Sequence, residues 1–370
     1  MLQVKLPRFD VARLVAGLTA AAPVCTVHAQ AYKPPPVLNR FPVPVTTLVG
    51  KELMQSAELA IPTAIDWVSG KLVVIDRKSD NMIAVFDAVR GGVVRTFGRR
   101  GSGPGEFTGP WKTLVPDPRG GAFWIFDTQL LRMTRVVLSQ DFATNAFKPS
   151  LLFQLQGGAT NLERPQWVAD GRLVSTGDIP GGLLIVFNKN GKNEGVLGTF
   201  DYGDPKLSIE GRQNGYAFQM AVDHGGNRLL LFSHYSDRID FFNLQGQRTG
   251  GVDRPFAFDP VLKEVGKAGR VATVTNQSYN GVRSVKTTAS HIYALFSGHR
   301  NDDSTVASPA AGSHVEVYSP TGKLERVLGL GAEAFDLTVD PDDRMLFIVR
   351  IDPSPGIVEY LLPTPLGAHK

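Results

Sequence analysis

Residues 317–323 read VYSPTGK, and three other segments share this pattern: VFDAVRG at 85–91, VFNKNGK at 186–192 and FFNLQGQ at 241–247. Each segment has an apolar pair that ends in an aromatic residue, then a short polar residue, and then a glycine within four further positions. Glycine adopts the positive φ angle that tight hairpin turns require. The four segments therefore predict the same strand–turn–strand hairpin at four places in the chain.

A second hairpin pattern recurs out of phase with the first. It combines an alternating apolar strand, a polar turn and another strand, as in DWVSGKLVVID at 66–76 and DPRGGAFWIFD at 117–127. Its copies lie 51, 53, 53, 65 and 52 residues apart, with markers at Asp66, Asp117, Asp170, Asp223, Thr288 and Asp340. Six repeats of two hairpins predict an all-β fold, a six-bladed β-propeller of four-stranded blades.

The two ends of the repeat region indicate how the ring closes. Residues 45–49 read as a lone strand, whereas the last repeat, 335–362, has only three strands, at 336–339, 346–350 and 357–361. A ring has no unpaired edge when the N-terminal strand supplies the missing outer strand of the last blade. We therefore expect the N-terminal strand to pair into the sixth blade.

The amino terminus has the pattern of an export signal. Three basic residues precede the apolar stretch 14–24, which is too short to span a bilayer, and VHA at 27–29 fits a cleavage site before Gln30. The alternative is an uncleaved, disordered tail. The expected organisation is a signal peptide (1–29), an extended proline-rich leader (30–44), the propeller (45–362) and a C-terminal tail (363–370).

Charge and cysteine content exclude several classes of function. The only cysteine, Cys25, lies in the signal segment, and Val24 before it does not fit a lipid-anchor site, so the mature chain would lack a thiol. The whole chain carries +4, of which the signal contributes +2, and the remainder mixes both signs. This balance does not indicate nucleic-acid binding. No later stretch is long and apolar enough for a membrane helix, so we expect a periplasmic or secreted protein.

Several motifs resemble those of known propellers. FGRRGSGPGEF at 97–107, after IAVFD at 83–87, resembles the inter-blade signature of NHL-type propellers. HYSDRI at 234–239, IYALFSG at 292–298 and VEVYSPTGK at 315–323 are similar to segments of the exported bacterial TolB-like six-bladed propellers. This resemblance implies the fold but no catalytic residues. Related propellers include protein-binding modules and a few metal-dependent lyases and lactonases.

The face on which the inner strands begin and the second strands end is the expected ligand face, because loops there vary without disturbing the blades. The residues predicted to bind a ligand on this channel face are Lys112, Gln166, Tyr216, Gln219, His234, Tyr235, Arg283, His299, Asp336 and Arg350. Cations and aromatic residues predominate, which would favour an anionic or sugar-like ligand. The alternative is that these groups bond to one another and seal the channel.

A catalytic or metal site has less support. Calcium in propeller hydrolases is held by converging carboxylate and amide oxygens, for which Asp127 and Asp336 with Gln166 or Gln219 are candidates. Lys112 and Arg283 would repel a cation, so we predict no cofactor, with calcium as the open alternative. No nucleophile motif is present, although His234 or His299 could act as a base.

Two insertions, a helix-like stretch at 259–268 and a polar loop at 299–312, are expected to overhang the ligand face as a lid or partner contact. The leading hypothesis is an exported binding module for an envelope protein, a peptide or a glycan, with no recognised catalytic set. A metal-dependent lactonase- or lyase-like enzyme and a purely structural scaffold are the alternatives.

The signal hypothesis predicts the mature terminus. Intact-mass measurement of the protein recovered from the periplasm or the medium should show a chain beginning at Gln30. Replacing Ala29 by Arg should block processing and retain the longer chain with the cells. A full-length chain from wild-type cells would show that residues 1–29 are not a cleaved signal.

Overall fold

The structure is a computed structural model that describes residues 37–54, 59–110, 113–138, 147, 149, 151–252, 254–264 and 272–363. The signal segment and residues 30–36 of the leader therefore lie outside the described residues. The described chain is almost entirely β-strand, arranged as six four-stranded blades in a ring. The six-bladed propeller expected from the repeats is confirmed.

The strands follow the repeats in chain order. Two short strands, β1 (Val45–Thr47) and β2 (Gly50–Met54), precede the first blade. Blade 1 contains β3 (Pro62–Val68), β4 (Lys71–Asp76), β5 (Asn81–Asp87) and β6 (Val93–Arg99). Blade 2 contains β7 (Leu114–Pro116), β8 (Ala122–Asp127), β9 (Arg132–Val137) and β10 (Leu151–Gln154). Blade 3 contains β11 (Thr160–Trp167), β12 (Leu173–Asp178), β13 (Leu184–Phe187) and β14 (Asn193–Leu197).

The second half of the ring carries two additional elements. Helix α1 (Ile209–Gly215) precedes blade 4, which contains β15 (Phe218–Val222), β16 (Arg228–Ser233), β17 (Ile239–Asn243) and β18 (Arg248–Val252). A small hairpin of β19 (Leu262–Glu264) and β20 (Ala272–Val274) follows. Blade 5 contains β21 (Val282–Thr287), β22 (Ile292–Phe296), β23 (Gly312–Tyr318) and β24 (Leu324–Ala334). Blade 6 contains β25 (Asp336–Val339), β26 (Met345–Arg350) and β27 (Gly356–Leu361).

The four glycine segments quoted first are all turns between the third and fourth strands of a blade. In each turn the glycine N–H donates to the carbonyl oxygen of the short polar residue, for example Gly191 to Asn188 at 2.9 Å and Gly246 to Asn243 at 3.0 Å. A Cβ at Gly191 would collide with the backbone of Gln154 in the preceding blade. Glycine is therefore needed for its positive φ and also for close packing between blades.

The polar markers of the second repeat lie at the turn between the first and second strands. Asp117, Asp223 and Asp340 each accept a backbone N–H a few residues later, and Thr288 does the same through its hydroxyl. This is the usual role of Asp and Thr in tight turns. Asp66 is the exception, because it lies within β3 and its carboxylate bonds to Lys286 instead.

The ring closes through the N-terminal strand, as expected. β2 pairs antiparallel with β27, with Gly50 opposite Tyr360, and so completes blade 6. The closing strand lies slightly downstream of the lone strand at 45–49, because residues 45–47 form β1 and pair parallel with β24 as a fifth strand of blade 5. Leu48 is buried between the two blades, so the N-terminal segment joins blade 5 to blade 6.

The hydrophobic core is divided among the interfaces between blades. Six clusters of buried side chains are found in the described chain, and each joins two adjacent blades. Each blade also contributes at least one fully buried phenylalanine, such as Phe86, Phe126, Phe187, Phe232, Phe296 and Phe347. Because burial of apolar area is the main favourable term in folding, every interface must be occupied for the ring to be stable.

A buried ion pair joins blades 4 and 5. The Arg254 guanidinium lies 2.6 Å from Glu316, and their side chains are 2% and 1% exposed. Burial would lower the pKa of Arg254, but Glu316 overcomes this effect and raises it. The guanidinium also lies over the Phe256 and Phe296 rings, at 5.0 and 4.6 Å from their centroids. Tyr318 donates its hydroxyl to the second Glu316 oxygen.

The expected helix at 259–268 is wrong where the structure describes it. Residues 262–264 form β19, whose Leu262 pairs with Val274, and Thr275 donates its N–H to Val261 at 2.9 Å. The helix lies earlier, at α1, where Ser208 caps the first turn by accepting the Gly211 N–H. Cross-strand pairing outweighs the helical preference of the Lys and Glu residues.

Ring closure predicts a specific steric sensitivity. A Cβ at Gly50 would lie 2.6 Å from a Val358 methyl and 2.7 Å from the Tyr360 ring, so Gly50→Val should destabilise the protein by about 1–3 kcal/mol. The midpoint of urea unfolding measures this change. Gly92→Val is the matched control, because no atom lies within 4 Å of its Cβ. Equal midpoints for the two variants would contradict the role of Gly50 in closure.

The ion pair predicts a second effect. Glu316→Gln leaves the Arg254 charge buried without its counterion and should lower the unfolding free energy by about 3–5 kcal/mol. Glu359→Gln is the control, since its partner Lys51 is 76% exposed and such pairs contribute little. A Glu316→Gln protein as stable as the control would show that the buried pair is dispensable.

Candidate functional site

One cavity of about 230 Å³ lies in the central channel and is lined by all six blades. Its lining residues are mostly at the ends of the inner strands and include Trp67, Pro116, Gln166, Val222, Thr287 and Val339. We call it the channel cavity. It therefore opens at the end of the channel opposite to the face that we expected from the sequence.

A second cavity of about 310 Å³ lies on the expected face, where the inner strands begin. We call it the rim cavity. Its lining residues are Thr113, Thr128, Asn161, Leu162, Glu163, Arg164 and Asn214. Thr113 and Arg164 line the channel cavity as well, so these two residues lie between the two spaces.

Strand β11 places Arg164 at this position through an irregular backbone. Its pairing with β12 shifts register twice, between Thr160 and Glu163 and again between Glu163 and Gln166. Asn161 and Arg164 have φ angles of 49° and 48°, which non-glycine residues rarely adopt. Bulges of this kind redirect side chains and are frequent beside functional sites. Arg164 is consequently only 7% exposed in the channel wall.

Arg283 lies beside Arg164 on the inner strand of blade 5. The Arg164 guanidinium donates to the Arg283 carbonyl oxygen at 3.3 Å, and the Arg283 guanidinium lies 5.8 Å from the centre of the Phe335 ring. Burial lowers the pKa of Arg283, and the neighbouring charge of Arg164 adds to this effect. Asp336 and Glu163 oppose the decrease without cancelling it.

Asp336, a predicted ligand-binding residue, joins three blades. Its carboxylate accepts the Ile65 N–H from blade 1 at 3.0 Å and the Ser284 hydroxyl from blade 5. Both oxygens are thus engaged, and the side chain is buried. Of the predicted residues, the structure therefore brings Asp336 and Arg283 together near the start of the inner strands. The observed bonds give Asp336 a structural role in holding the channel.

The channel cavity is also lined by an ion pair, Lys286 with Asp66, that the sequence did not indicate. Lys286 donates to Asp66 at 2.8 Å, and Thr338 donates to the other Asp66 oxygen at 3.2 Å. Burial raises the pKa of Asp66, although Lys286 opposes this increase. The pair joins blades 1 and 5 across the channel. Gln166 lines the same cavity, because it lies at the end of β11 and not at its start.

Four predicted residues belong to blade 4 or its approach. Tyr216 is buried and donates its hydroxyl to Asp259 at 3.2 Å, and Gln219 is also buried. The His234 ring bonds to the Val282 carbonyl oxygen at 3.0 Å and packs edge-on against Tyr235. None of the four lines the channel cavity or the rim cavity. These placements correspond to the alternative in which polar groups seal the fold.

The remaining predicted residues are scattered. His299 bonds to Asp303 at 2.8 Å within its own loop, and Arg350 forms an ion pair with Glu52 of the closing strand. Asp127, the candidate calcium ligand, accepts the N–H groups of Thr108 and Gly109. Lys112 lies outside the described residues. Among the described residues, no group of three or more His, Cys, Asp or Glu side chains converges as a metal site.

The 299–312 loop contacts the segment that follows the β19–β20 hairpin, at the expected end of the ring. Asn280 donates its N–H to the His299 carbonyl oxygen at 2.8 Å and its side-chain amide to Asn301 at 2.8 Å. Neither the β19–β20 hairpin nor the 299–312 loop lines either cavity. Helix α1 borders the rim cavity instead, through Asn214. A lid or partner-contact role for the two insertions stays a prediction.

Arg164 is the principal residue that sequence reasoning missed. The sequence analysis placed Gln166 at the start of an inner strand, whereas β11 begins at Thr160. A proline within a strand is typical of a bulge, because it has no N–H to donate. The sequence ERPQ at 163–166 was therefore the available signal for a redirected arginine.

The described part of the chain has no helix long and apolar enough to cross a membrane.

Comparison with solved structures shows the propeller fold. A member of the DUF4221 family from Bacteroides vulgatus is similar, with a TM-score of 0.56, 9% identity, and coverage of 85% of this chain and 97% of that one. The β-propeller domain of Cps50 (Swd1) from Myceliophteria thermophila has a TM-score of 0.46 at 9% identity, covering 85% and 100% of the two chains. Hydrazine synthase from Kuenenia stuttgartiensis has a TM-score of 0.44 at 12% identity, covering 79% and 74%.

No curated protein matches the chain. A family model described as TolB-like 6-blade propeller-like matches residues 42–342, which is most of the chain. The matched range includes the rim cavity, Arg164, Arg283 and the glycine turns between the third and fourth strands of the blades. It agrees with the resemblance carried by the later-blade motifs. The chain belongs to the TolB-like six-bladed propeller family.

Proposed function

We propose that this protein is an exported binding module that receives a peptide segment of an envelope protein in its central channel. The observation that carries the proposal is the channel cavity, whose wall combines side chains from all six blades. Ligand sites are concave and combine apolar surface with a few polar groups that fix orientation. Thr287, Thr338, Gln166 and Arg164 provide such groups here.

The size of the two cavities favours a segment over a folded domain. Volumes of about 230 and 310 Å³ are at or below the lower end of small-molecule pockets. A space of this size holds one or two side chains or a chain terminus. Export rests on the amino-terminal pattern alone.

The lining favours a peptide over a glycan. Carbohydrate recognition commonly uses flat aromatic faces, and we expected Tyr216 and Tyr235 to supply them. Among the described lining residues of the two cavities, Trp67 is the single aromatic side chain. Hydrogen-bonding and charged side chains make up about half of the lining residues, which suits the polar groups of a peptide.

Site-specific photocrosslinking tests this proposal. A benzophenone amino acid at His224, an exposed residue that lines the channel cavity, should give a light-dependent adduct in the cells that make the protein. The control is the same probe at Val89, which is 86% exposed. Val89 lies on the turn between β5 and β6, away from the inner strand that lines the channel. Mass spectrometry should identify one peptide segment attached at position 224.

Three outcomes would contradict the proposal. Equal adducts at positions 224 and 89 would indicate non-specific contact, and an absence of adduct at position 224 would remove the channel as a binding site. A carbohydrate adduct at position 224 would replace the peptide with a glycan.

A further inference from the structure

Arg164 and Arg283 are neighbouring cations whose N–H donors are only partly bonded within the protein. Each guanidinium has a buried Nε that finds no partner among the described residues. Arg164 donates only one described bond, to the Arg283 carbonyl oxygen at 3.3 Å. Buried polar groups are almost always bonded, so two such donors side by side require an explanation.

The nearby acids do not supply the missing acceptors. Asp336 uses both carboxylate oxygens, on the Ile65 N–H and the Ser284 hydroxyl. Glu163 lines the rim cavity and influences Arg283 only through its charge. Neither arginine forms an ion pair with a carboxylate of the described residues. Arg254 differs in having a carboxylate partner, Glu316 at 2.6 Å, although its Nε is also without an acceptor among the described residues.

The backbone that places Arg164 beside Arg283 is strained. Arg164 has a φ angle of 48° and precedes Pro165, and residues before proline prefer extended conformations. Such strained positions are energetically unfavourable and concentrate at functional sites. The two register shifts of β11 place Arg164 beside Arg283. A sealing role would not need two like charges close enough to lower the pKa of Arg283.

We propose that Arg164 and Arg283 form a binding site for one anionic group, a carboxylate or a phosphate, of the ligand that occupies the channel. This inference rests on the proposed function and specifies the chemistry of its ligand. The guanidinium fork matches the oxygens of either anion through paired N–H donors. Arg164 and Thr113 line both cavities, whereas Arg283 lies beside Arg164 without lining either of them. The Thr113 hydroxyl is a further donor for the same group.

Thermal unfolding of the purified mature protein tests the site with simple anions. Melting temperatures are compared in sodium chloride, sodium phosphate and sodium acetate at equal pH and ionic strength. An anion that binds the folded protein at roughly tenfold above its Kd should raise the melting temperature by about 2 °C. Arg164→Gln and Arg283→Gln should abolish this increase.

The control separates binding from general salt effects. Phosphate stabilises many proteins because it is excluded from their surface, and this effect is shared by all variants. Arg90→Gln, an exposed arginine on a hairpin turn, should keep the full wild-type response. A response to phosphate alone would identify a phosphate group, and a response to acetate would identify a carboxylate. If either Gln variant does not fold, Arg164→Lys and Arg283→Lys, which keep the charge and lose the fork, should show a reduced response.

An anion response that is equal in wild type, Arg164→Gln, Arg283→Gln and Arg90→Gln would overturn the inference. If crosslinking at position 224 still succeeds in that case, the channel binds a peptide segment without recognising an anionic group through the two arginines. If the anion response depends on the two arginines but no adduct forms, the anion site stands and the peptide function fails.

Discussion

The structure depends on closure of the ring by β2 against β27. Each hydrophobic cluster belongs to two blades, so no blade completes its core without both neighbours. An open ring would expose the two faces of one interface between blades to water and would leave sheet edges unpaired. The N-terminal segment prevents this twice, because β1 extends blade 5 and β2 completes blade 6. Leu48 lies buried at the step between the two strands.

The fold was predictable because its constraints act on short segments. A glycine at the turn between the third and fourth strands must adopt a positive φ and also approach the preceding blade closely, as Gly246 does against Gly198. Few residues satisfy both requirements, so the repeat persists where the surrounding residues vary. The position of the closing strand was less predictable, because GKELM at 50–54 lacks an alternating apolar pattern.

The candidate site was predictable only in part, because it depends on where side chains point. Arg283 and Asp336 were found from their place at the start of inner strands. Arg164 and the true position of Gln166 depend on two bulges in β11, which shift the register that a regular strand would have. Tyr216 and His234 satisfied the positional rule but point into packed regions, where Asp259 and the Val282 carbonyl oxygen accept their bonds. Periodicity alone does not distinguish these cases.

The irregular backbone of β11 also has an evolutionary consequence. Asn161 and Arg164 occupy a region of backbone space where glycine would be the least strained residue. Selection for stability alone would therefore favour glycine at both positions and would relax the strand. The arginine at position 164 therefore keeps a cation in the channel wall at the cost of backbone strain.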